Sequence, residues 1–173
     1  SIENFVNSLQ SKSKKLKLHC LINNAGAILP EYQKIHGIES SMLTNYIAPL
    51  YLTSLLQSNL ETTAITSGIP SRIINVSSRL EKNAKISDNQ IRDMNRSLNS
   101  NTDEQYNHWT AYADSKHCQL LATYGTASLL TKEGKSTNLT VHAVTPGMVH
   151  TNLSRNMMSS FLSYLAWPIQ RLI

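Results

Sequence analysis

Apolar residues recur at two different periods along this chain, and the switches between them mark its elements. Over 2–15, Ile2, Phe5, Val6 and Leu9 fall at helical spacing with Leu16 just beyond, which predicts an amphipathic helix. From 16 to 22 the pattern becomes a near-continuous apolar run, read as a strand, and it closes on Asn23-Asn24-Ala25-Gly26. A loop holding Pro30 and Gly37 leads to a long helical pattern over 39–60, interrupted by Pro49. A second strand is predicted over 72–76, ending on Ser77-Ser78. Residues 79–108 are polar and carry no apolar period, and a stretch of that length inside a compact domain usually has a functional role or is disordered. A helix is predicted over 110–130 and a third strand over 139–144, which ends at Thr145-Pro146-Gly147. The segment 157–173 is apolar again and contains Trp167-Pro168.

Short apolar strands alternating with helices are expected to form a parallel sheet covered on both faces. Right-handed crossovers would lay the strands side by side in one α/β domain over 1–173, with no internal repeat and no linker. Ligands in such sheets collect at the carboxyl ends of the strands. Here those ends carry Asn-Asn-Ala-Gly, Ser-Ser and Pro-Gly, so small and polar residues gather at one rim.

Composition fits this picture: 173 residues, 40% hydrophobic and 16% charged, describe an ordinary globular domain. The net charge of +5 raises the question of nucleic acid. The clustered cations, Lys12, Lys14, Lys15 and Lys17, precede an apolar stretch and have no aromatic residues among them, so they read as the solvated end of a helix. No nucleic-acid partner is expected. Cys20 and Cys118 are two thiols rather than a disulfide framework, and the six histidines show no paired ligand spacing, so no metal site is expected. No run of eighteen apolar residues predicts a membrane span. The chain opens at Ser1 on a helical segment with no strand before it, which suggests further sequence upstream.

Tyr112 and Lys116 stand four apart on a predicted helix, so they share a face one turn apart. A phenol ordinarily titrates near about 10. A nearby ammonium stabilises the phenolate, which suits general acid/base chemistry. The spacing alone equally describes an exposed helix pair. Ser78 adds weight, because it ends a strand at the same rim and can donate to a carbonyl oxygen as charge builds there; Ser77 would point to the opposite face. A strand-end serine satisfying backbone groups is the plainer alternative. Pro49 cannot donate to the carbonyl of Asn45, which would leave that group for water inside a kinked helix. A simple packing kink is the alternative. Gly26 permits close backbone approach to a ligand, and Thr151 beyond Pro146-Gly147 could cap a helix or donate to a carboxamide.

In this order, Asn-Asn-Ala-Gly, Asn45, Ser78, Tyr112-x-x-x-Lys116 and Pro146-Gly147 resemble the short-chain dehydrogenase/reductase family. Gly37-Ile38-Glu39, the run 51–56 and the long gap before Tyr112 are most similar to its retinol dehydrogenase and WW-domain oxidoreductase branch. The resemblance implies a Rossmann-like doubly wound fold and hydride transfer between NADP or NAD and a carbonyl or alcohol, with NADP favoured. It gives Ser78 the carbonyl, Tyr112 the proton, Lys116 the nicotinamide ribose and Asn45 a relay water. Asn23, Ala25 and Gly26 would border the adenosine side of the cofactor, and Pro146, Gly147 and Thr151 the nicotinamide. It further implies a lipophilic substrate under a lid formed by the apolar tail and a homodimer through helices 39–60 and 110–130. Localisation is left open: intracellular, either cytoplasmic or associated with the endoplasmic-reticulum membrane.

The family's glycine-rich phosphate turn and its cofactor-selecting charged residue are absent. Against the family layout, the first βαβ half and the last strand are missing, so the sheet is expected to be incomplete. Its first strand should have a bare edge, and the isolated chain is expected to bind dinucleotide weakly and to be marginally stable. The competing reading is a non-catalytic interaction module of the same fold, or an inactive truncated product. Retention of Tyr, Lys, Ser and Asn together favours the enzyme.

Overall fold

A computed structural model describes residues 1–12, 16–87, 89, 106–132 and 138–147. Thr151, the apolar tail and most of the polar stretch before Tyr106 lie outside the described residues. Helix α1 (Ile2–Ser11) starts on Ser1, whose hydroxyl accepts from the Asn4 N–H at 3.2 Å. It buries Val6 but leaves Phe5 exposed, so its apolar stripe is narrower than the sequence suggested.

Strand β1 (Cys20–Asn23) is shorter than the predicted run. Leu18 lies ahead of it with its N–H on the Thr63 hydroxyl, 3.0 Å, and packs on the core instead of pairing as strand. The predicted loop contains a small antiparallel ribbon, β2 (Lys34–Ile35) and β3 (Ile38–Glu39). Its two-residue turn, His36 and Gly37, has φ of 53° and 80°, the mirror-image geometry that matches strand twist.

The long helix begins as α2 (Ser40–Met42), passes through a π turn (Leu43–Ile47) and continues as α3 (Ala48–Ser67). The π turn sits directly ahead of Pro49, whose missing N–H removes one α-helical bond there. The helix runs past the predicted end at 60 to Gly68, which caps it at φ 70°. Strand β4 (Ser71–Val76) follows, then a 3-10 turn (Arg79–Asn83), helix α4 (His108–Lys132) and strand β5 (Leu139–Val144).

The three main strands form one parallel sheet in the order β1-β4-β5, with Ile22 opposite Ile74 and Ile74 opposite His142. Leu60 of α3, Ile73 of β4, Leu130 of α4 and Leu139 of β5 make the buried centre, with Leu18, Leu21 and Val141 around it. That cluster fixes both long helices against the sheet. Among the described residues the outer strands β1 and β5 each pair on one side only, as expected for β1, and Ile22 is 58% exposed and Val144 45%.

Candidate active site

Four of the residues singled out in the sequence meet at the carboxyl rim of the sheet. Lys116 is only 3% exposed, and its ammonium donates to the carbonyl of Val76, the last residue of β4, at 2.8 Å. It also lies 5.9 Å from the centre of the Tyr112 ring, one helical turn back. Gly26 completes the corner. A methyl group at this glycine would stand 3.2 Å from Asn45 Oδ1 and 3.4 Å from Lys116 Nζ, so the absent side chain is what lets the turn after β1 approach both.

Asn45 is fully buried in the π turn. Its carboxamide holds the backbone of Ala27 from both sides, accepting from the N–H at 2.8 Å and donating to the carbonyl at 2.9 Å. It also donates to Ser115 Oγ at 2.9 Å, and that hydroxyl donates to the Tyr112 carbonyl at 2.7 Å. Asn45 thus clasps the turn after β1 to the helix that bears Tyr112 and Lys116.

Ser78 caps the 3-10 turn, accepting from the Leu80 N–H at 3.3 Å. The turn it opens docks on α4 beside Tyr112. Asp114 Oδ1 accepts from the N–H groups of Lys85 and Ile86 at 2.6 and 3.1 Å, and His117 Nδ1 lies 3.5 Å from Glu81 Oε2. Burial raises the Asp114 carboxyl above the usual range, against the two backbone donors that lower it.

The electrostatics differ from the sequence expectation. Burial raises the Tyr112 phenol above 10.0, while hydrogen bonding to Ser78 pulls it down. Burial lowers Lys116 from 10.5 to about 8. Desolvation is the largest cause of both shifts, because Tyr112 and Lys116 are almost wholly withdrawn from water.

The sign of the Lys116 shift has a measurable consequence. Below pH 8 the folded and unfolded chains both hold the proton, and the cost of burying the charge, on the order of 3 kcal/mol, is fully present. From about pH 8 to 10.5 the folded state has released a proton that the unfolded state keeps. Stability should therefore rise with pH across that window relative to Lys116→Met. Equal pH dependence of the urea midpoint in the two proteins would contradict it.

Other residues named from sequence stand differently. Asn23 turns into the sheet, donating to Thr53 Oγ1 at 3.0 Å and to Asn75 Oδ1 at 2.8 Å; Asn75 in turn donates to Thr123 Oγ1 at 2.9 Å. Its side chain secures the strand and the long helices. Ala25 is exposed in the turn. Pro146 and Gly147, the latter at φ 80°, follow β5 at the same rim, and no hydrogen bond among the described residues ties them to Tyr112 or Lys116. Thr151 lies outside the described residues. Sequence reasoning missed Ala27, Asn75, Asp114, Ser115 and Gln119. For the last three the signal was spacing: each lies within four residues of Tyr112 or Lys116 on the same helix.

Comparison with known proteins identifies the family. No family model matches the chain. The chain is 33% identical over 157 residues to the chloroplastic short-chain dehydrogenase TIC 32 A of Brassica napus, across 90% of this chain and 46% of that protein. It is 34% identical over 170 residues to retinol dehydrogenase 12 of Bos taurus, across 98% of this chain and 46% of that protein. The chain belongs to the short-chain dehydrogenase/reductase family. It spans about half the length of the curated relatives it matches. The fold agrees: the NADPH-bound carbonyl reductase from chicken fatty liver superposes with a TM-score of 0.64 at 22% identity, over 92% of this chain and 56% of that one. The α/β sheet of the chain is thus about half of a Rossmann-type dehydrogenase fold.

Proposed function

We propose that the protein transfers hydride between a nicotinamide dinucleotide and a carbonyl or alcohol group, with Tyr112, Lys116, Ser78 and Asn45 as the protein's working groups. The observation that carries this reading is the buried corner where the Lys116 ammonium, the Tyr112 ring, Asn45 and the bare backbone of Gly26 meet at the strand ends. Gly26 presents exposed backbone without a side chain beside a buried cation, a fit for a ribose or phosphate-bearing ligand. Bound there, the nicotinamide would supply the hydride.

Tyr112 holds its proton at neutral pH because burial raises its pKa, so it is armed to donate to a carbonyl oxygen as that oxygen gains charge. Ser78, whose hydroxyl lowers the phenol pKa, donates to the same oxygen. Lys116 holds the cofactor ribose, and Asn45 keeps the turn after β1 in register with the helix behind it. Either NADP or NAD fits this reading. NADP is favoured by the branch the sequence resembles and by the NADPH bound to the chicken carbonyl reductase. Retinol and polyprenol dehydrogenases among the relatives support a lipophilic substrate. No helix among the described residues is long and apolar enough to cross a membrane.

Leu50 on α3 and Leu121, Tyr124 and Leu129 on α4 are exposed, which favours pairing of two copies through these helices. The same faces would serve a non-catalytic interaction module. Mass spectrometry separates the two readings. The full protein, given NADPH or NADH carrying deuterium at the nicotinamide C4 and a panel of lipophilic carbonyls, should return a deuterated alcohol. Unlabelled carbonyl recovered with both cofactors would leave only the module.

A further inference from the structure

Gln119 follows Lys116 by three residues, and its side chain is nearly as buried, at 3% exposed. The Lys116 ammonium donates to Gln119 Oε1 at 3.3 Å. An ammonium has only donors, so this contact fixes which end of the carboxamide faces it. The other end, Nε2, then points away from the lysine and has no hydrogen-bond partner among the protein atoms. An unmet buried donor of this kind costs about 1–3 kcal/mol.

Beside it lies a cavity of about 20 Å³ between α3, α4 and the sheet, bounded on its polar side by Thr53, Asn75, Gln119 and Thr126. That is room for one water with several polar partners. The hydroxyls of Thr53 and Thr126 can each still accept a bond: Thr126 spends its proton on the Ala122 carbonyl, and Thr53 already accepts from Asn23 through one lone pair.

We propose that Gln119 is a positioning residue for Lys116, its carboxamide held between the ammonium and a water bound in this cavity. The role rests on the reading of Lys116 as part of the proton-transfer corner. The Val76 carbonyl satisfies one ammonium proton and Gln119 a second, which leaves the third to face Gly26 and the open rim. Without Gln119 the flexible four-carbon stem has one fixed contact and no defined direction.

The test reads the titration of Lys116 itself, in the full chain labelled with carbon-13 at lysine Cε, the signal being assigned by its loss in Lys116→Met. Gln119→Met keeps the shape and removes the acceptor, so the Lys116 midpoint should fall by about one pH unit. Gln119→Glu keeps the shape and offers a charged acceptor, so the midpoint should rise by about 1–3 pH units. A side chain that merely fills space would give two shifts of the same sign or none, and either result overturns the proposal. In the unsubstituted chain, the Gln119 side-chain amide should show a cross-peak to a long-lived bound water; its absence overturns the anchoring. These signals need no turnover. A protein that fails to transfer deuterium loses the enzymatic reading and with it the catalytic purpose of the positioning, keeping only the coupling of Gln119 to the ammonium, whereas an active protein with an unmoved Lys116 midpoint loses only the positioning.

Discussion

Turnover by Tyr112→Phe is expected to fall by about 10²–10⁴-fold relative to the parent protein, with KM for the carbonyl little changed. The phenyl ring keeps the buried packing of Tyr112, which is 4% exposed. What is lost is the phenol proton, the group proposed to reach the substrate oxygen. Because burial raises the phenol pKa, the proton is present throughout the neutral range and is given up only as charge develops on the substrate oxygen. The loss should therefore fall on kcat. Stability should move by no more than about 1 kcal/mol, since a single hydrogen bond is removed and the ring remains. Steady-state kinetics of the two proteins with one cofactor and one carbonyl decide it. Equal kcat would remove Tyr112 from the chemistry.

Leu60→Ala, far from that corner, should cost about 2–5 kcal/mol of stability. Leu60 has no exposed surface and sits at the centre of the cluster with Ile73, Leu130 and Leu139. That cluster joins α3, β4, α4 and β5, so truncation opens a cavity at the point where both long helices are fixed to the sheet. Typical domains have about 5–15 kcal/mol in hand. A sheet whose outer strands, among the described residues, pair on one side only is expected to lie near the low end of that range. The urea midpoint should fall sharply at unchanged slope, while Ile65→Ala, 70% exposed near the end of α3, should move it by less than about 0.5 kcal/mol in equivalent terms. A Leu60→Ala loss no larger than that of Ile65→Ala would show that the helices are held to the sheet elsewhere.

Elements with a strong period were legible in the chain. Strand 139–144 falls on the observed β5, and the two long helices were found with ends off by one to seven residues. The late end of α3 was signalled by Gly68, whose left-handed cap the apolar period alone does not reveal. The ribbon around His36 and Gly37 was missed because two-residue strands carry no measurable alternation. The pKa of Tyr112 was misjudged in direction: spacing shows that an ammonium is near, but only burial shows how much each charge loses on leaving water.

By itself the sequence determined the parallel α/β class, the strand ends that gather at one rim, and the pairing of Tyr112 with Lys116 on one helix face. These depend on local periodicity and on residue types that turns and strand ends require. The tertiary structure decided the rest: that Asn45 clasps Ala27 and Ser115 across eighteen and seventy residues of chain, that Gly26 is bare because Asn45 and Lys116 occupy the space its side chain would need, and that Gln119 stands behind the ammonium. Those contacts join segments whose separation along the chain carries no pattern. Packing against a common core brings them together.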